Sequence, residues 1–226
     1  MADLTTRLAA CYSGAVYDVM RARGQENCLL PHDIVGLDAE TRVAGPVFTL
    51  SGVPFDLHGN PEADYLLPWV QFLSEAPAGH VVLCQPNSDR LALMGELSAE
   101  TLKSRGVLGY IVDGGSRDNS FIRKIGFPVF CRFRTPRDIV AKWVPDRLGV
   151  PISIGDVLVR TGDYVLADFD GVVVIPAEIA EEVVGEVEEV IAAEDKVRSA
   201  ILGGTDPVEA YLTYAKFCPP PSRPRP

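Results

Sequence analysis

Residues 106–118 read Gly106-Val107-Leu108-Gly109-Tyr110-Ile111-Val112-Asp113-Gly114-Gly115-Ser116-Arg117-Asp118. The apolar run from Val107 to Val112 predicts a buried β-strand. It leads into two glycines and then into an arginine beside an aspartate. Because a packed core excludes unpaired charges, we predict that backbone and charges meet a ligand at the end of this strand. The two glycines are predicted to let the backbone turn tightly there.

On either side of this strand, hydrophobic periodicity predicts helices that alternate with strands. The predicted helices cover residues 4–23, 62–73, 95–104 and 119–124, and the predicted strands cover residues 47–50, 80–84, 107–112 and 129–132. Such alternation indicates an α/β core.

The pattern changes after residue 150, where short apolar runs are separated by glycine-aspartate turn signals. These runs predict antiparallel hairpins with strands at residues 152–154, 157–159, 164–167 and 172–175. A long helix follows Pro176, and helical spacing continues from Lys196 to Phe217 with a break at Gly203-Gly204. We predict one α/β domain over residues 1–195, a helical extension over 196–217, and a proline-rich, disordered tail over 218–226.

The composition indicates a soluble globular protein. Its 226 residues can bury a core, no apolar run approaches the roughly 18 residues of a membrane span, and the N-terminus lacks a secretion signal, so we expect a cytoplasmic protein. The net charge of −10 argues against nucleic-acid binding. Nine Lys or Arg and four Asp lie between Arg105 and Arg147, so this basic segment is expected to attract an anion or to form a solvated face.

Several common sites are not indicated. The five cysteines form no C-x-x-C pair and are predicted to be buried or surface thiols: Cys11, Cys28, Cys84, Cys131 and Cys218. The three histidines have no metal-ligand spacing: His32, His58 and His80. The sequence also contains no Walker lysine pattern, no H-E-x-x-H and no G-x-S-x-G.

The remaining constellation is Gly95-Glu96-Leu97-Ser98-Ala99 followed, about twenty residues later, by Arg117-Asp118. A helix start and the carboxyl end of the next strand meet at the same edge of an α/β sheet, so Glu96 and Asp118 are expected to converge. Two carboxylates suit Mg²⁺ or Mn²⁺, and Arg117 suits a substrate carboxylate. The alternative stays open that Glu96 caps its helix and Arg117 pairs with Asp118 or Asp113 on the surface.

These motifs resemble the family of 4-hydroxy-4-methyl-2-oxoglutarate aldolases, which also includes the proteins called regulator of ribonuclease activity A. The resemblance also includes Gly126-Phe127-Pro128-Val129-Phe130 and the segment from Gly162-Asp163 to Pro176, and it extends from about residue 13 to 217. It implies an α/β/β/α sandwich resembling the phosphohistidine swivelling domain. It also implies a homotrimer or homohexamer with its sites between subunits.

Carried over to this sequence, the resemblance implies that Asp118 binds Mg²⁺ or Mn²⁺ directly and that Arg117 holds the pyruvyl part of the substrate. The backbone N–H groups of Leu97 and Ser98 would receive its carboxylate, and Gly95 would also belong to the substrate-binding site. Glu96 stands where the family usually has Asp, and it would hold the ion through water. Glu194, with Asp195 beside it, is the match for an acid that reaches the metal of a neighbouring subunit; the alternative is an exposed helix charge.

The activity implied is a metal-dependent retro-aldol cleavage that releases pyruvate. The substrate would be a small anionic 2-oxo acid such as 4-hydroxy-4-methyl-2-oxoglutarate or 4-carboxy-4-hydroxy-2-oxoadipate, and oxaloacetate decarboxylation would be a side activity. Arg117, Glu96 and Asp118 would be the catalytic residues. The alternative is a non-catalytic regulatory protein, for which the acidic segment from Glu178 to Lys216 would bind a basic partner.

Overall fold

A computed structural model describes residues 3–55 and 66–214. The helices are α1 Leu4–Ala10, α2 Ser13–Ala22, α3 Leu67–Glu75, α4 Glu96–Ser104, α5 Asn119–Ile125, α6 Ala180–Leu202 and α7 Pro207–Tyr214, with a 3₁₀ turn at Ala177–Ile179. The strands are β1 Val35–Gly36, β2 Val43–Pro54, β3 Val81–Gln85, β4 Gly109–Ser116, β5 Val129–Arg134, β6 Trp143–Leu148, β7 Ile152–Ile154, β8 Val157–Val159, β9 Tyr164–Asp168 and β10 Gly171–Ile175.

Eight of these strands form one sheet, in the order β1-β5-β4-β3-β2-β9-β10, with β6 also paired to β2. Strands β2, β3, β4 and β5 are parallel to one another. β1, β6 and β9 pair antiparallel with strands of this group, and β10 pairs antiparallel with β9. β7 and β8 form a separate hairpin. The long β2 pairs with β9 near its start and with β6 near its end. It therefore connects the part of the sheet that contains β3, β4 and β5 to the part that contains β9 and β10.

Alternating side chains divide the core into layers. On β4, Tyr110 and Val112 point to a core shared with α3, α4 and α5, whereas Ile111 points to a core shared with β9, β10 and the β7–β8 hairpin. On β9, Leu166 points outward to a third core, shared with α1, α2 and α6. The half of the sheet that contains β3, β4 and β5 thus faces the half that contains β9 and β10. Helices cover the outer side of each half. This arrangement confirms the predicted α/β class and its α/β/β/α layer order; the likeness to the swivelling domain remains a resemblance.

The predicted helix over residues 4–23 is wrong in one respect, because it is two helices with a break at Cys11-Tyr12. Tyr12 is extended, with φ −129° and ψ 154°. Ser13 then donates its backbone N–H and its hydroxyl to the Asp168 carboxylate, at 2.8 and 2.6 Å. This tertiary contact takes the place of the helical hydrogen bonds that the apolar spacing alone predicts.

Other boundaries also differ from the predictions. β2 covers Val43–Pro54 rather than 47–50, and the sequence did not predict β6, an edge strand that carries a proline and two charged residues. The predicted helix over 62–73 begins outside the described residues, and α3 extends to Glu75. The hairpin strands after residue 150 are confirmed, and α6 ends at Leu202, directly before Gly203-Gly204, as predicted. Among the described residues, no helix is long and apolar enough to cross a membrane.

Candidate functional site

The stretch at residues 106–118 forms β4 and its continuation into α5. The prediction that Gly114 and Gly115 make a tight turn is wrong, since β4 runs through both glycines to Ser116 and neither has a positive φ. At Gly115 an added Cβ would lie 2.7 Å from the Leu91 carbonyl oxygen and 2.5 Å from the Phe133 ring. The glycine is therefore needed for close approach of another segment.

That segment is residues 91–94, which lies alongside the end of β4. The Gly115 N–H donates to the Leu91 carbonyl at 3.0 Å, and the Leu93 N–H donates to the Gly115 carbonyl at 2.8 Å. The Arg117 N–H donates to the Met94 carbonyl at 2.9 Å. These bonds place Gly95 and the start of α4 beside Arg117 and Asp118.

Asp118 has a strained backbone, with φ 56° and ψ 28° in the left-handed region. It stands at the N-cap of α5, but its side chain makes no capping hydrogen bond to that helix. Its Oδ2 instead accepts the Glu96 N–H at 3.3 Å. A Cβ at Gly95 would lie 3.0 Å from the same oxygen, so the absence of a side chain at position 95 keeps the carboxylate accessible.

Arg117 lies between two carboxylates. Its Nη1 donates to Asp138 Oδ2 at 3.1 Å, and its Nε is 3.4 Å from Asp118 Oδ2. We name Arg117, Asp118 and Asp138 the cavity triad. Asp138 was not predicted from the sequence, since it follows β5 in a loop with no motif that marks it.

The cavity triad opens on a cavity of about 710 Å³. The predicted residues that line it are Gly95, Glu96, Leu97, Ser98, Arg117 and Asp118. The Ser98 hydroxyl accepts the Trp69 indole N–H at 3.0 Å, which fixes α3 as the facing wall. The first turn of α4 thus lines the same cavity as the triad. Gly95, the N-cap of α4, has no side chain that could accept hydrogen bonds from the backbone N–H groups of this turn.

The donor set of the cavity fits a hard divalent cation. Within residues 3–55 and 66–214, no group of three or more His, Cys, Asp or Glu is arranged as a metal cage. Mg²⁺ is usually held by one or two carboxylates and keeps several waters. Asp118 and Glu96 offer that set, and with Asp138 the cavity holds three carboxylates against two guanidinium groups, from Arg105 and Arg117.

Glu194 does not line this cavity in its own chain. It lies on α6, where it accepts a hydrogen bond from the Tyr12 hydroxyl. Burial and that hydrogen bond raise the pKa of the Tyr12 hydroxyl. Asp195 pairs with Arg198 on the same helix. Contact of Glu194 or Asp195 with a neighbouring subunit's site remains a prediction.

Asp113, the other acid of the quoted stretch, points to the opposite face of the sheet. It pairs with Arg132, whose Nη1 also contacts Asp33 Oδ2 at 2.9 Å. We name Arg132, Asp113 and Asp33 the loop triad. Asp113 and Arg132 line a separate cavity of about 380 Å³ together with polar residues 85 and 87–89.

The four cysteines within the described residues are buried free thiols, as predicted, and Cys218 lies outside those residues. Burial raises the pKa of the Cys84 thiol to about 12 and that of Cys131 to about 11. These two thiols are therefore protonated at neutral pH, which makes them poor nucleophiles. His32 and His80 line neither of the two cavities at the sheet ends, and His58 lies outside the described residues.

Comparisons with known proteins identify relatives of this chain. The chain is 31% identical, over 81% of its length and 83% of the relative's, to a Halalkalibacterium halodurans protein named "Putative 4-hydroxy-4-methyl-2-oxoglutarate aldolase". It is 26% identical, over 95% of its length, to protein DlpA of Legionella pneumophila, and it spans about a third (34%) of that protein.

A solved structure has the same fold at related sequence. It is Streptomyces coelicolor RraAS2, described as an unusual member of the RNase ES inhibitor RraA protein family. The TM-score is 0.76 at 28% identity, covering 88% of this chain and 96% of that one. The family model described as "RraA-like: Aldolase/RraA" matches residues 13–174, which include the cavity triad and the start of α4. The chain therefore belongs to the RraA-like family.

Proposed function

We propose that this protein is a divalent-metal-dependent aldolase that cleaves a 4-hydroxy-2-oxo acid into pyruvate and a second carbonyl compound. The observation that carries the proposal is the convergence of the Asp118 carboxylate, the Arg117 guanidinium and the first turn of α4 on one cavity. The name of the Halalkalibacterium relative supports it.

The substrate's carboxylate would bind at the start of α4. The Leu97 and Ser98 N–H groups lie at the positive end of the helix dipole. Arg117 adds charge-assisted hydrogen bonds, because its guanidinium has five N–H donors and the two contacts with Asp118 and Asp138 leave donors available. Arg117 is thereby also held in a fixed position by the two carboxylates.

The reaction breaks the bond between C3 and C4 of the substrate. The 4-hydroxyl loses its proton and becomes a carbonyl, while the electron pair of the broken bond passes to C3 as the enolate of pyruvate; a proton added to C3 then gives pyruvate. Glu96, at the first position of α4, would accept the 4-hydroxyl proton directly or through one water. A divalent ion bound by Asp118, and by Glu96 through water, would supply positive charge that stabilises the enolate.

The test measures pyruvate release from oxaloacetate and from 4-hydroxy-4-methyl-2-oxoglutarate. Oxaloacetate decarboxylation passes through the same enolate and places few demands on the far end of the cavity. We expect release with Mg²⁺ or Mn²⁺, loss with EDTA, and recovery when the metal is restored. A folded protein that releases no pyruvate from either compound above the rate without protein contradicts the proposal.

The second candidate function is a non-catalytic regulator, suggested by the similarity to Streptomyces coelicolor RraAS2, a member of an RNase ES inhibitor family. A basic partner would bind the acidic α6. Much of that charge is already used within the chain, however, since Arg7 pairs with Glu181 and Glu188 while Arg23 pairs with Glu182 and Glu186. A pull-down without substrate, compared with one using Asp118→Asn protein, separates the two functions, because a regulator would bind its partner equally in both.

A further inference from the structure

Helix α4 carries three hydroxyl side chains, and one of them differs from the other two in its hydrogen bonds. Thr101 donates its hydroxyl to the Leu97 carbonyl at 2.7 Å, and Ser104 donates to the Thr101 carbonyl at 2.8 Å. Both bonds return to the backbone of the same helix one turn earlier, as serine and threonine commonly do. Ser98, in the first turn, makes no such bond among the described residues.

The Ser98 hydroxyl is instead an acceptor. The Trp69 indole N–H, which can only donate, lies 3.0 Å from the Ser98 Oγ. Trp69 is 7% exposed and packs edge-on against Trp143, with ring centroids 6.0 Å apart, so its N–H is held in place. Because a hydroxyl has one proton and two lone pairs, this bond uses one lone pair and leaves the proton for another partner.

The carbonyl groups one turn before Ser98 already have donors. The Met94 carbonyl accepts from the Arg117 N–H at 2.9 Å and from the Ser116 hydroxyl at 3.4 Å, which uses both of its lone pairs. The Gly95 carbonyl accepts a backbone N–H of α4 at 3.0 Å. The indole lies on one side of the Ser98 hydroxyl and the helix backbone on another, so the cavity, which Ser98 lines, is the open direction for the proton.

Building on the aldolase function proposed above, we propose that the Ser98 hydroxyl donates a hydrogen bond to the substrate carboxylate at the start of α4, and that Trp69 is a positioning residue that orients this hydroxyl. The Leu97 and Ser98 N–H groups bind the same carboxylate, so the hydroxyl adds a third, charge-assisted bond. The family resemblance implies only the two backbone groups. The proposal therefore assigns a role to the Ser98 side chain and, through Trp69, to helix α3.

The two residues are expected to contribute unequally. Removal of the Ser98 hydroxyl removes a whole hydrogen bond to a charged group, which corresponds to about tenfold in affinity. Removal of the Trp69 N–H leaves the hydroxyl in place but lets its proton rotate among three staggered positions, of which one points to the carboxylate. The loss of orientation alone corresponds to about two- to threefold.

A binding experiment tests the Ser98 hydroxyl without turnover. Isothermal titration of the metal-loaded protein with pyruvate, the proposed product, is expected to give a Kd about tenfold higher for Ser98→Ala than for the parent. Thr101→Val is the matched control, since Thr101 lines the same cavity on the same helix but donates to the Leu97 carbonyl. Its Kd is expected to stay within about twofold of the parent. A Ser98→Ala protein that binds pyruvate as tightly as the parent overturns the proposal.

Two tryptophan variants test the positioning role. Trp69→Phe keeps an aromatic ring and removes the N–H, so the Kd of pyruvate should rise about two- to threefold. Trp143→Phe is the control, because the Trp143 N–H donates to the Pro86 carbonyl at 2.7 Å and Trp143 lies outside the residues that line the cavity. In a Ser98→Ala background, Trp69→Phe should change the Kd no further. Equal changes in both backgrounds would mean that Trp69 acts only as a wall, and its positioning role would be wrong.

Steady-state decarboxylation of oxaloacetate separates a binding role of Ser98 from a structural one. A bond to the carboxylate that is equally strong in the bound substrate and in the transition state changes KM and leaves kcat unaltered. Ser98→Ala should therefore raise KM about tenfold. Ser98→Thr, which keeps the hydroxyl, should return KM to within about threefold of the parent. A fall in kcat at unchanged KM in Ser98→Ala contradicts the proposed contact.

The two proposals fail in different ways. If the parent protein binds pyruvate and releases it from oxaloacetate with metal, while Ser98→Ala has the parent's Kd and KM, the aldolase function stands and the role of the Ser98 hydroxyl is wrong. If the folded parent neither binds pyruvate nor releases it from oxaloacetate or from 4-hydroxy-4-methyl-2-oxoglutarate, both proposals are wrong.

Discussion

Two arginine–carboxylate triads lie near the carboxyl end of the same sheet, and they differ in what surrounds them. The cavity triad joins Arg117 to Asp118 and Asp138, and the loop triad joins Arg132 to Asp113 and Asp33. The two arginine side chains are similarly exposed, at 38% and 32%. Each arginine pairs with one acid from the stretch at residues 106–118.

The surroundings decide which triad can carry chemistry. The cavity triad adjoins the first turn of α4, whose N–H groups favour an anion, and faces the apolar wall of α3. The loop triad has a smaller, polar cavity, and no helix start lines it among the described residues. An arginine between two acids is therefore not enough to indicate a site; a matching anion-binding backbone and a low-dielectric wall are needed as well.

The largest expected difference is between Asp118→Asn and Asp113→Asn. Loss of the Asp118 carboxylate removes the proposed direct metal ligand, so metal-dependent pyruvate release is expected to fall about 10²–10³-fold. Asn tolerates the left-handed backbone at position 118, so the fold should persist. Asp113→Asn is expected to change the rate less than about threefold. Steady-state assays with circular dichroism on both variants check this, and comparable losses would refute the distinction between the triads.

A smaller difference is expected between Arg117→Lys and Arg132→Lys. Lysine keeps the charge but cannot form the planar two-point contact with a carboxylate. The KM for the 2-oxo acid should therefore rise about 10–100-fold in Arg117→Lys, which corresponds to loss of one charge-assisted hydrogen bond. Arg132→Lys should bind substrate as the parent does. A KM that rises in the Arg132 variant, or is unchanged in the Arg117 variant, contradicts the proposed carboxylate position.

The smallest effect concerns Gly115, which lies on β4 between Asp113 and Asp118. Gly115→Ala should lower the free energy of unfolding by about 1–3 kcal/mol, because its Cβ would overlap the Phe133 ring and the Leu91 carbonyl. Gly14→Ala, in helix α2 with 3.5 Å to the nearest Tyr12 atom, should be neutral or stabilising by up to about 1 kcal/mol. Urea unfolding measures both. An unaltered stability in Gly115→Ala would mean that residues 91–94 do not need this close approach.

The sequence predicted the elements whose patterns are local. The strand at residues 107–112 and the hairpins after residue 150 follow from apolar runs bounded by turn residues. The approach of Glu96 to Asp118 follows from one helix and one strand of ordinary length between them. Helix α1–α2 was predicted as one element because the break at Tyr12 depends on Asp168, 155 residues away from Ser13 in the chain.

The sequence by itself determined the α/β class and the pairing of a helix start with Arg117-Asp118, because these depend on periodicity and on short spacings. The layer order followed from the family resemblance. Only the tertiary structure decided that Asp138 completes the cavity triad and that an apolar face of α3 lines the cavity. It also showed that Gly115 permits close contact of β4 with residues 91–94 and does not form a turn. Each of these depends on contacts between segments distant in the chain. The packing of the layers determines which side chains meet in the cavity, and no local sequence pattern predicts these contacts.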